Sequence, residues 1–181
     1  MGLLLRKVIA AKWLKNKGLE LPDFSSDPIT VCNKTSSDTL SVWRCESMDF
    51  ENDNTLQMII AGLVSGFNAP TPHDFLFLDD TELTGLGLAV KDNSAATSVK
   101  AINSLHADII GVNYTNLGVV SKYIRDKICA DDAKMLVLTK EQVINCVRKF
   151  YLSGELKKRI SDESPWAVVK SEPDPVPVDG S

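Results

Sequence analysis

The run Phe75-Leu76-Phe77-Leu78 is bounded by Pro72 on one side and by Asp79-Asp80 on the other. Four consecutive apolar residues between such breaks are too few for a helix. They suit a strand buried inside a sheet, where side chains on both faces must leave water. This segment makes a β-sheet part of the fold, and the helical segments around it must pack against that sheet.

The partners expected for this strand lie upstream. Ile29-Thr30-Val31-Cys32 and Leu40-Ser41-Val42-Trp43-Arg44-Cys45 are β-rich, and Thr35-Ser36-Ser37-Asp38 between them is a polar turn cluster. They are read as a hairpin over 29–46. In its second arm Leu40, Val42 and Arg44 share one face, and Ser41, Trp43 and Cys45 share the other.

The remaining periodic segments are read as helices. Leu3 to Lys17 is expected to be a helix with a basic side, closed by Gly18. Asp53-Asn54-Thr55 can cap a helix to Phe67, along which Leu56, Ile59, Ile60, Leu63, Val64 and Phe67 form one stripe. Gly85 and Gly87 limit Glu82 to Val90 to a short helix at most. Ser94 to Ile110 and Thr115 to Ile128 are read as two further helices. Met135 to Leu138 is a short strand or a buried loop. Thr139 with Gln142 forms a capping box for a last helix running to about Ile160.

The expected fold class is therefore α+β: a small antiparallel sheet (hairpin 29–46 plus strand 75–79) packed on one side by several amphipathic helices. The domain reading is one globular body over residues 1–160, followed by an acidic tail over 161–181. That tail holds Pro165, Pro173, Pro175 and Pro177, and within it Trp166-Ala167-Val168-Val169 is an apolar island able to dock on the body or on a partner.

Bulk properties narrow the function. Hydrophobic residues make up 44% and charged residues 24% of 181, an ordinary globular composition. The net charge of -4 does not favour nucleic acid or anionic membranes, which are held by clustered Lys and Arg. No stretch approaches the ~18–20 apolar residues of a membrane span. Cys32, Cys45, Cys129 and Cys146 form no C-x-x-C pair and read as reduced, mostly buried thiols of a cytoplasmic protein.

Chemistry-bearing residues are few. A strand ending in Asp79-Asp80 resembles a Walker B strand, but the chain lacks the G-x-x-x-x-G-K-[ST] loop that such a strand serves. The same pair resembles the first motif of the haloacid-dehalogenase phosphatases. There, two Asp two positions apart project to one face, whereas adjacent Asp79 and Asp80 project to opposite faces. Capping of the following helix explains them equally well. The only histidines are His73 and His106. They could join Asp79 and Asp80 in a mononuclear metal site, although their spacing does not demand it. Asp108 is only two residues from His106, so on a helix the two do not face each other. Gly85-Leu86-Gly87 lacks the third glycine of a dinucleotide loop. No cofactor and no metal are expected.

Three functions follow in order. The leading expectation is a non-catalytic protein-interaction module of the inhibitor, immunity or adaptor kind, whose partner is another protein, of basic character. The first rival is a metal-assisted hydrolase using Asp79, Asp80 and either His73 or His106. The second is a DNA-binding adaptor using the last two helices, with Arg148, Lys149, Lys157, Lys158 and Arg159 as its cations. Oligomeric state is not legible in the sequence.

Overall fold

A computed structural model describes residues 2–33 and 38–171. Its frame is a six-stranded, fully antiparallel sheet in the order β4-β5-β2-β1-β3-β6. The strands are β1 (Leu3–Val8), β2 (Thr39–Cys45), β3 (His73–Asp79), β4 (Ala89–Asp92), β5 (His106–Ile110) and β6 (Met135–Leu138). The expected α+β class and the strand around Phe75 hold.

Helices cover both faces of the sheet, not one. On the first face α3 (Asn54–Val64), α6 (Lys140–Leu152) and a 3-10 turn at Lys100–Leu105 pack onto Leu5, Trp43, Phe75 and Phe77. On the second face α1 (Ala10–Leu14), α2 (Ser26–Cys32) and α5 (Leu117–Cys129) pack onto Leu4, Val42, Leu76, Leu78 and Ile109. The double cover explains why β3 reads as an unbroken apolar run, since Phe75, Leu76, Phe77 and Leu78 are all buried. A sixth helix, α4 (Asp80–Gly85), follows β3 directly.

The same burial hid β1. Leu3-Leu4-Leu5 favours helix locally, but Leu4, Leu5 and Val8 are buried in a central strand paired with both β2 and β3. The expected helix over Leu3 to Lys17 shrinks to α1, and Gly18 follows at φ +76°. The expected hairpin over 29–46 is absent. Ile29 to Cys32 belongs to α2, started by Ser25, whose hydroxyl accepts from the Asp27 N–H, and by Pro28 in the first turn. Its second arm is β2, which pairs with β1 and β5 instead. Lys34, Thr35, Ser36 and Ser37 of the proposed turn lie outside the described residues.

Ser94 to Ile110 is not a helix either. After the 3-10 turn it becomes β5, with His106 and Asp108 on one face and Ala107 and Ile109 on the other. The helix expected to reach Phe67 ends at Val64, leaving Phe67 40% exposed. The last helix carries the expected Thr139–Gln142 capping box but stops at Leu152, two residues before Gly154 at φ +78°.

The apolar island is part of the body. Trp166 is 1% exposed in the core against α3 and α6, and its indole N–H donates to the Phe67 carbonyl at 2.8 Å. Val169 is fully buried as well. Packing thus continues past residue 160 to about Lys170, whereas Pro173, Pro175 and Pro177 lie outside the described residues. Among the described residues no helix is long and apolar enough to cross a membrane.

Candidate functional site

The register places one end of every strand together. Leu3 at the start of β1 pairs with Cys45 at the end of β2 and with Asp79 at the end of β3. Asp92 at the end of β4 and His106 at the start of β5 belong to this same end, as does Met135 at the start of β6. The loops leaving this end contribute Glu46, Asp49, Glu51 and Asp53 between β2 and α3, and Asp79, Asp80 and Glu82 after β3. Asp131 and Asp132 come from the turn between α5 and β6.

Each of the expected chemistry-bearing residues has a committed role here. Asp79 is the N-cap of α4. Its carboxylate accepts from the Thr81 N–H at 2.7 Å and the Glu82 N–H at 3.4 Å. Partial burial pulls this carboxyl upward in pKa, but the helix amides outweigh it and hold the group below the usual range. Asp80 turns to Arg44 instead, with Oδ2 3.2 Å from Nη1. The guanidinium Nε of Arg44 binds Asp92 at 2.5 Å, so one cation ties the ends of β2, β3 and β4 together. Gly2 lies so close that a Cβ there would meet Asp80 Oδ2 at 3.2 Å.

The histidines do not join them. His73 opens β3, so it stands about 20 Å along the strand from Asp79, six residues at roughly 3.3 Å each. It is buried between the rings of Phe67, centroid distance 4.9 Å, and Phe75. Burial, helped by the nearby charge of Lys7, holds its pKa below the ordinary imidazole value. His106 sits edge-on to Trp43 at 5.1 Å. Because β5 is a strand, His106 and Asp108 share a face after all, with Nε2 3.8 Å from Oδ1. Asp108 also accepts from the Asn93 amide at 2.8 Å and the Ser41 hydroxyl at 3.4 Å, bonds that stitch β2 and the β4 end to β5. Among the described residues no three His, Cys, Asp or Glu side chains are placed to hold a metal ion. The four-residue metal site built from Asp79, Asp80, His73 and His106 is not assembled.

The two C-terminal helices do not form a DNA-reading pair. β6 intervenes between them, and α5 and α6 lie on opposite faces of the sheet. Arg148 is buried, donating to Asn145 Oδ1 at 2.7 Å and to the Val168 carbonyl at 3.0 Å. Lys149 donates to Gln57, and Lys158 to the Ser65 carbonyl. These cations fasten the C-terminal segment instead of facing a phosphate backbone.

Two clefts flank the N-terminal end of β1. One, about 460 Å³, is bordered by Gly2, Asp79, Glu82, Lys127, Asp132 and Lys134. In it Glu82 accepts from Lys127 Nζ and from the Tyr123 hydroxyl, both at 2.7 Å. The Lys127 bond first, and the Tyr123 bond second, hold its carboxyl low. The other cleft, about 740 Å³, is lined by Leu3, Arg44, Cys45, Glu46, Thr55, Met58, Ala101, Ile102 and Leu105. Burial, reinforced by Asp53, pushes the Cys45 thiol up to about 12, so it is a poor nucleophile at neutral pH. All four cysteines are free thiols.

The gathering of acids was not foreseen from the sequence. Glu46, Asp49, Glu51 and Asp53 are visible there as a cluster, but only the strand register brings Asp79, Asp80 and Asp132 to the same end. No protein-family model matches this chain, and neither a curated protein nor a solved structure matches it.

Proposed function

We propose that this protein is a non-catalytic, cytoplasmic protein-interaction module whose acid-rich sheet end recognises a basic partner. One observation carries the reading: carboxylates from separate loops converge at one end of a rigid sheet, and most have no cation beside them. Arg44 is shared by Asp80 and Asp92, and Lys127 is taken by Glu82. Glu46, Asp49, Glu51, Asp53, Asp131 and Asp132 form no ion pair among the described residues. Such a one-sided field draws in a positively charged partner and sets its orientation, raising the association rate more than the final affinity. The individual roles of Asp79, Asp80, His73 and His106 in capping, pairing and packing also support an interaction role over a hydrolytic one.

The test is affinity capture from the native source with the full chain and with the triple variant Glu46→Lys, Asp49→Lys, Glu51→Lys. All three residues are on the surface loop, so the fold should survive, as circular dichroism would verify. The reading expects a basic protein that the parent retains and the variant loses. Equal retention by both, or capture only of acidic proteins, refutes it.

A further inference from the structure

The larger cleft has a floor unlike its rim. Leu3, Met58, Ile102 and Leu105 supply apolar surface between β1, α3 and the 3-10 turn. At the mouth stand Glu46, from the end of β2, and Asp53, whose carboxylate caps α3 beside the lining residue Thr55. Arg44 also lines the cleft, but its charge is matched by Asp80 and Asp92. Lys100, next in the chain to Ala101, is exposed and is the remaining cation adjoining the lining. Four carboxylates thus surround a pocket with an apolar base and two cations.

We propose that this cleft receives a short partner segment carrying adjacent apolar and basic side chains: the apolar group on Met58 and Ile102, the basic group on Glu46 and Asp53. The volume of about 740 Å³ lies in the range of pre-formed sites that enclose a ligand of several side chains. The charge around the mouth selects the basic companion, because a like-charged segment would face unscreened carboxylates as its apolar part entered. This deepens the interaction reading and rests on it, naming where on the acidic end the partner is anchored.

The probes are two capped tetrapeptides, Lys-Leu-Leu-Lys and Glu-Leu-Leu-Glu, titrated into the full chain with 13C-labelled methyl groups. Saturable shifts are expected at Leu3, Met58, Ile102 and Leu105 with the basic peptide. Reversing its charges should weaken binding by about tenfold or more, since each charge pair at the rim contributes on the order of 1 kcal/mol in water. Ala101→Trp, which fills the cleft, should abolish the shifts. Should that variant fold poorly, Glu46→Lys on the exposed rim should remove the preference for the basic peptide while leaving the methyl spectrum intact.

Equal binding of both peptides, shifts confined to other surfaces, or no shifts overturn the proposal. So does a dimer, seen in sedimentation, that competes with the basic peptide, because the cleft then belongs to a second copy. The two readings fail separately. A captured partner that still binds Ala101→Trp removes the cleft but keeps the acidic end. Basic-peptide shifts without any charge-dependent partner keep the cleft and remove the interaction role.

Discussion

Removing the indole of Trp166 should cost this protein most of its stability, although the residue lies beyond the point where the sequence places the end of the folded body. Trp166 is 1% exposed and belongs to the core formed by α3, α6 and one face of the sheet. A buried Trp removes on the order of 150–250 Å² from water, which at about 25 cal/mol per Å² corresponds to about 4–6 kcal/mol. The residual cavity and partial relaxation place the measured cost of Trp→Ala at about 3–5 kcal/mol. Total stability for a domain of this size is on the order of 5–15 kcal/mol, so Trp166→Ala should leave a marginal protein. Trp166→Phe separates the two contributions. It keeps most of the apolar contact but leaves the Phe67 carbonyl without the indole N–H it accepts from. Its cost should be smaller, about 1–2 kcal/mol. Urea unfolding followed by circular dichroism measures both. A Trp166→Ala midpoint indistinguishable from the parent would refute the docking of residues 161–170, and with it the extension of the body past Ile160. For the same reason a truncation after Ile160 is not a neutral deletion, because it strips Trp166 and Val169 from the core.

Other expectations follow from the same geometry. Thr139→Ala removes half of the capping box at α6 and should lower stability by about 1 kcal/mol in the same unfolding assay, with Thr139→Ser restoring most of it. Asp79→Ala should cost about 1 kcal/mol through loss of the α4 cap, with no dependence on added Mg²⁺ or Zn²⁺. A metal-dependent rise in Tm that Asp79→Ala abolishes would instead restore the metal-site reading. His73 is buried with its folded pKa held below the ordinary imidazole value, so the unfolded chain binds its proton more readily. Its neutral form is fully compatible with the fold above about pH 6.5, and stability is lost as pH falls through that value toward the lower folded pKa. His73→Phe should flatten unfolding free energy against pH in that window, and an unchanged slope would show that another group controls it.

The legibility of the fold divides along burial. α3, α5 and α6 are surface helices with one wet side, and their stripes and caps (Asp53 and the Thr139–Gln142 box) can be read from the sequence. β3 is legible because Pro72 and Asp79 bound a run too short for a helix. β1 is not, because a central strand covered on both faces loses the alternation that marks a half-exposed one, and Leu3-Leu4-Leu5 then reads as helix. The start of α2 did carry a signal, Ser25-Ser26-Asp27-Pro28, which the β-branched run after it outweighed. β5 was also marked, by the alternation of His106 and Asp108 with Ala107 and Ile109, but it was masked by the helical spacing of Val99, Ile102 and Leu105. At the candidate site, the capping role of Asp79 was legible from its place at a strand end. The pairing of Asp80 with Arg44, and the meeting of acids from separate loops, depend on strand order, which a local reading of sequence does not contain.

The most direct measurement is the affinity of the captured partner for the purified full chain across a series of salt concentrations, for the parent and for the Glu46→Lys, Asp49→Lys, Glu51→Lys variant. Screening acts on exposed charges, so the parent's Kd should rise steeply with salt, mainly through a slower association rate, and the variant should bind weakly at low salt and show little further change. A Kd that is insensitive to salt and equal in the two proteins would contradict the account, because the acid-rich sheet end would then have no part in recognition.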